Sequence, residues 1–416
     1  MSHFSHMLRK LAGQAQLIVA LVTLALAALA VGMWLYLSTR PAEPQAALPL
    51  TAPPTVTPTV APPPTATPAP TLPPTLPPTQ PPTPMAAPVE ASVREAVPAD
   101  RAYAGTWERS VIAGNLAENY PRFIRHPRFT LYYQPDTYTA LHVEETVALV
   151  EGALAAVEER LGVTMSEPFE VLVAGTLYER PNAHLRGLAA SDVNQVYVLH
   201  DGTGTEADNA YFFAHELGHL VAAHEYGSHH DSILLSEGVA TWAAMPALEA
   251  GGYLPADELC AAMHAAGIMP SMVDIEEDRE AFKGHIRHPF NYFGAGCFVG
   301  YLVDNYGLDA LRVVYPTSAY TAVYGKSLGA LDAEFRAALA ARWAQGARVD
   351  AARLPKVASR VSEVYAYVFY HYDDADPVYY EAYLAADRAR VALWQGDFNT
   401  AEQWVQQARA ILGWGG

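Results

Sequence analysis

The stretch AYFFAHELGHLVAAHEYG, Ala210 to Gly227, decides how the rest of this 416-residue chain is read. It contains His215-Glu216-Leu217-Gly218-His219, which fits H-E-x-x-H. On a helix, residues four apart share one face a turn apart, so the two imidazoles can clamp a single cation. Glu216 stands beside that face, where a carboxylate can accept a proton from an attacking water without being a ligand. At about 100° per residue, His219 falls roughly 40° from His215 and Glu216 roughly 100°. Phe213, Leu217, Leu220 and Val221 fall together on the opposite side and make an apolar back face. Gly218 and Ala222 flank the histidines, which keeps bulk off the metal side. His224 points to the far side and reads as a packed or solvated histidine rather than a ligand.

A catalytic zinc site takes three protein ligands and keeps one open position. A third histidine following a glycine is ruled out, because Ala222 and Glu225 stand at those two positions. The candidate is Glu237, in LLSEGVATWAA from Leu234 to Ala244. That segment reads as a second helix with Leu234, Leu235, Val239, Trp242 and Ala243 buried. A carboxylate on so apolar a helix needs a partner, and a metal supplies one. The plainer reading is a surface glutamate at a helix start. Between the two segments, His229-His230-Asp231 is either a polar loop or a secondary metal contact.

His215-Glu216-x-x-His219 followed by Ser236-Glu237-Gly238 resembles the gluzincin metallopeptidases. Within them the sequence looks most like the bacterial peptidase MA-like domains and the monozinc aminopeptidases. NYFGAGCFVGYLVDNYGLDAL, Asn291 to Leu311, extends the likeness, which covers roughly Phe129 to Leu339. The resemblance implies a zincin-like α+β domain and one Zn²⁺ on His215, His219 and Glu237. It implies Glu216 as general base, Tyr292 as a donor to the oxyanion, and a peptide or protein substrate. It does not extend to Gly-Ala-Met-Glu-Asn, which aminopeptidases use to hold a substrate amine and which this sequence lacks. Seventeen residues separate His219 from Glu237, a spacing not quite that of the best-known relatives.

Around this centre, FTLYY (Phe129–Tyr133), FEVLVAG (Phe169–Gly175) and QVYVLH (Gln195–His200) read as strands, and Thr139 to Leu161 as a helix. Gln195–His200, just before the metal helix, is expected to align an extended peptide by edge pairing. Strands first and helices afterwards give an α+β class. ARVALWQGDFNTAEQWVQQARAIL, Ala389 to Leu412, looks like a tetratricopeptide hairpin turning at Gly396-Asp397-Phe398, with Ala401, Val405 and Ala408 packed inward. It is expected to pack on the helices before it; docking of a protein partner is the second reading.

Leu17 to Leu37 is an uncharged run of 21 residues, long enough to span a bilayer as a retained anchor. Arg9 and Lys10 before it put the N-terminus in the cytoplasm. Twenty of the 32 prolines lie between Pro41 and Pro98, as expected of a polyproline II stalk. The expected order is a cytoplasmic 1–16, an anchor at 17–37, a Pro/Thr-rich stalk at 38–100, a peptidase domain at 101–349 and a helical extension at 350–416. The net charge of −18 argues against nucleic acid as a partner. Cys260 and Cys297 would lie outside the cell, where a disulfide is permitted and a free buried thiol is equally ordinary. The sequence thus points to a membrane-anchored extracytoplasmic zinc peptidase. The rival is a catalytically silent surface module that keeps the fold and binds peptide or protein.

Overall fold

The structure, a computed structural model, describes residues 95–96 and 120–414 apart from 176–177, 181–182, 228–231, 279–289, 347–348 and 372–376. The anchor at 17–37 and the loop at 229–231 lie outside the described residues, as does all of the stalk but Glu95 and Ala96. No helix among the described residues is long and apolar enough to cross a membrane.

A mixed sheet runs in the order β1-β2-β3-β4-β8-β7. Its strands are β1 (Glu95–Ala96), β2 (Arg122–Arg125), β3 (Phe129–Tyr133), β4 (Phe169–Ala174), β7 (Gly187–Ala190) and β8 (Gln195–Leu199). The central three, β3, β4 and β8, are parallel; the flanking strands run antiparallel to their neighbours. β5 (Tyr178–Arg180) and β6 (Ala183–Leu185) form a separate ribbon. Side chains alternate along each strand. Leu131, Tyr133, Val171, Val173, Val196 and Val198 join the main core, while Tyr132, Leu172 and Tyr197 form a smaller cluster with Tyr120 and Phe123. Strands buried on both faces are what a parallel centre demands.

The helix expected over Thr139–Leu161 is two helices, α1 (Tyr138–Leu141) and α2 (Val143–Leu161). His142 breaks them: it leaves helical geometry at φ −126°, and its carbonyl accepts the N–H of Thr146. Leu141, which fits the helical period, is consequently 78% exposed. Val147, Val150, Leu154, Val157 and Leu161 on α2 are buried in the main core. Each such side chain stabilises the fold by about 1.5–3 kcal/mol. Leu154→Ala alone should cost about 2–5 kcal/mol.

The remainder is helical: α3 (Glu206–Glu225), α4 (Ile233–Ala250), α5 (Ala256–Ala265), α6 (Met272–Glu277), α7 (Phe290–Tyr306), α8 (Leu308–Val314), α9 (Tyr320–Tyr324), α10 (Leu328–Ala344), α11 (Leu354–His371), α12 (Pro377–Trp394) and α13 (Phe398–Ile411). The class is α+β, with the sheet first. Cys260 on α5 and Cys297 on α7 are joined in a disulfide, Cα atoms 6.6 Å apart. The terminal hairpin turns through Gly396 at φ 78°, Asp397 caps α13, and Ala401, Val405 and Ala408 are buried. All these elements belong to a single compact unit.

Candidate metal centre

α3 starts from a capping box, in which Thr205 accepts the N–H of Asp208 and Asp208 accepts that of Thr205. Its back face is closed: Phe213, Leu217, Leu220 and Val221 are fully buried. The opposite face carries His215 and His219, their ring centres 4.8 Å apart and their planes nearly perpendicular. The small residues beside them have a different job from the one their sequence position suggests. A Cβ on Gly218 would lie 2.9 Å from the Cα of Ala240. Gly218 therefore admits α4 against α3, rather than holding space open over a metal.

That close approach delivers Glu237. Ser232 caps α4 by accepting the N–H of Leu235, and its hydroxyl donates to the half-buried Glu276 at 2.6 Å. Glu237 follows in the next turn. Its Oε2 lies 3.3 Å from His215 Nε2 and 3.1 Å from His219 Nε2. Among the described residues these three are the group able to hold a metal ion, with ligand atoms all within 4.8 Å of one another.

The far sides of both rings are also fixed. His215 Nδ1 meets the Thr241 hydroxyl at 3.4 Å, and His219 Nδ1 meets the Ser236 hydroxyl at 3.3 Å. With Nδ1–H donating to those oxygens, each Nε2 lone pair is left for a cation, which is how outer hydrogen bonds select a ligand tautomer. Thr241 is in turn hydrogen-bonded to the Tyr211 phenol, and Ser236 to that of Tyr315. Burial pushes both phenols up, so they stay neutral. The donor set fits a catalytic Zn²⁺: two imidazoles, one carboxylate, and no fourth protein ligand among the described residues.

Electrostatics divide the two carboxylates. Burial raises Glu216, and the charge of Glu237 adds to this against the opposing histidines. Burial also presses Glu237 upward, but His219 and the hydrogen bonds of both histidines outweigh it and hold Glu237 well below the usual range. His219 is raised because Glu237 overcomes the effect of burial. Two groups whose environments push them apart suit different roles, one as ligand and one as base.

Glu216 is buried beneath the edge strand. A Cβ on Gly187 of β7 would overlap the Glu216 carboxylate, so any larger residue there must displace the strand or that side chain. β8, expected to offer its edge, lies between β4 and β7 with both edges paired. The edge beside Glu216 belongs to β7, a strand too short and too small in its side chains, Gly-Leu-Ala-Ala, to announce itself.

Tyr292 lies on the first turn of α7, half-buried, its ring centre 6.0 Å from that of His215. Burial, and then the charges of Glu237 and Glu216, raise its phenol well above the ordinary value. It remains a donor at any ordinary pH. Two residues stand apart from the centre: His224 is half-buried outside the ligand group, and Glu225 accepts the N–H of Ser166 at 3.2 Å. Sequence reasoning missed Ser236, Thr241 and Gly187. The first two carried a signal, since polar side chains on an apolar helix need partners just as Glu237 does. No family model matches this chain and no curated protein matches it.

Proposed function

We propose that this chain is a gluzincin-like zinc peptidase that hydrolyses peptide bonds, anchored in a membrane through residues 17–37 with its catalytic domain outside the cytoplasm. The carrying observation is the convergence of His215 Nε2 and His219 Nε2 on one oxygen of Glu237, with the Glu216 carboxylate buried beside them under an edge strand. A disulfide between Cys260 and Cys297 suits an oxidising compartment.

His215, His219 and Glu237 would hold the Zn²⁺. When bound, zinc supplies Lewis acidity toward water and the scissile carbonyl. Glu216, its proton affinity raised by burial, accepts the proton of the attacking water and hands it to the leaving amine. Tyr292, kept protonated, donates to the oxygen on which charge develops. An extended peptide adds to the outer edge of β7, its backbone held by main-chain hydrogen bonds.

The test measures the metal content of the full chain purified without added metal, beside a His215→Ala/His219→Ala control, followed by peptide-library turnover of wild type and Glu216→Gln. About one zinc per chain, lost in the control, with turnover abolished in Glu216→Gln, is the expected result. No zinc in a folded protein would sink the reading. Zinc without any turnover would leave the silent peptide-binding module in its place.

A further inference from the structure

Helix α12 reaches back toward the site through buried charges. Asp387 Oδ1 accepts from Arg186 Nη1 at 2.8 Å and from Arg390 Nε and Nη2 at 3.0 and 2.9 Å. Arg390 Nη2 also donates to Asp208 Oδ1 at 3.0 Å. The Asp208 Oδ2 atom takes the Tyr253 hydroxyl at 2.6 Å and the capping contacts from Thr205. Two arginines and two aspartates make a neutral quartet, with every side chain 4% exposed or less. The two outer members are not placed at random. Arg186 immediately precedes Gly187, the residue that presses on Glu216, and Asp208 sits in the first turn of the metal helix α3. The Arg186 guanidinium lies 4.2 Å from the ring centre of Phe212 on α3, and that of Arg390 lies 5.7 Å from the same ring.

We propose that Asp387 and Arg390 are positioning residues for the candidate site. They tie the start of edge strand β7 to the first turn of α3 and so set the height of β7 over Glu216. This rests on the peptidase reading for its catalytic consequence, but not for its structural one. The physical reason lies in the fork of Arg390. A planar guanidinium bonded to two fixed carboxylates holds both at set distances, and buried charges have no water to turn to if the spacing slips. The terminal hairpin is thus a brace for the edge strand of the candidate site.

The experiment uses Asp387→Asn in the full chain and reads amide exchange of β7 residue by residue, alongside zinc affinity and peptide kinetics. The expected result is exchange at Gly187–Ala190 faster by about tenfold or more, with β3 and β4 unchanged. KM for extended peptides should rise about tenfold while kcat and zinc affinity move less than about threefold. Unaltered β7 exchange, or equal loosening of the whole unit, would overturn the proposal. If Asp387→Asn does not fold, Arg390→Lys keeps the charge, loses the fork, and is read by the same exchange pattern. Absence of peptide turnover in the wild type would remove the peptidase reading alone, since the exchange pattern decides the brace by itself.

Discussion

Gly187 on the edge strand lies so close to Glu216 that a side chain of even one carbon would occupy the position of the carboxylate. The strand backbone therefore runs directly over the candidate base. Gly187→Ala should displace either the strand or the carboxylate. Peptide hydrolysis should fall roughly 10–100-fold, because small misplacements of a reacting group are costly. Metal content should be unchanged, since no ligand is touched. Steady-state kinetics with a parallel metal assay checks this; an unchanged rate would mean that the strand yields and does not set Glu216.

The hydroxyls behind the histidines make a second prediction. Ser236→Ala and Thr241→Val each remove the acceptor for one Nδ1–H and leave the first ring atoms untouched. Loss of such outer partners typically weakens metal binding 10–100-fold. Competition against a chromogenic chelator should find each variant in about that range. Affinities equal to wild type would show that ring packing alone orients the histidines.

Tyr292→Phe keeps the ring against His215 and deletes only the donor. A fall in kcat of about 100-fold at constant zinc affinity is expected if the phenol serves the oxyanion. A loss confined to KM would instead make it a binding contact.

Stability should depend on pH in a definite sense once metal is stripped from the protein. Glu237 is depressed from its ordinary 4.5, so its contribution is present above about pH 4.5 and fades as pH falls through the folded value. His219 is raised from 6.5, so its contribution is complete below about pH 6.5 and fades as pH rises through the folded value. Both are complete only between those limits. Glu216, raised by burial, works against stability above pH 4.5 in every variant that retains it. Subtracting the melting profile of chelated Glu237→Gln from that of chelated wild type should therefore leave a maximum between about pH 4.5 and 6.5. A flat difference would mean that Glu237 and His219 are not coupled. Zinc affinity should fall in acid, because the proton on His219 must leave before a cation can bind.

The candidate ligands were legible because metal chemistry writes itself into helical spacing. His215 and His219 needed only the i, i+4 rule, and Glu237 needed only the cost of burying a lone carboxylate. Strands β3, β4 and β8 were legible from their aromatic and β-branched residues. What escaped depends on contacts between segments far apart in the chain. Nothing near Gly187 hints that position 216 will lie beneath it. The role of Gly218 depends on Ala240, and the break at His142 was hidden because Leu141 keeps the helical period while facing water. Asp387 and Arg390 carry no signal in the hairpin sequence; only the fold turns them inward.

The separation of 201 residues between Arg186 and Asp387 has a consequence for biosynthesis. A chain is made from its N-terminus, at about 5–20 residues per second. When the H-E-x-x-H helix emerges, Arg186 and Asp208 carry charges whose partners have not yet been made. Burying them unpartnered is unfavourable. The ion pairs that Arg186 and Asp208 make with α12 therefore form only after that helix has been made. The order of synthesis thus acts as a timer: these buried charges wait about 200 residues for their partners.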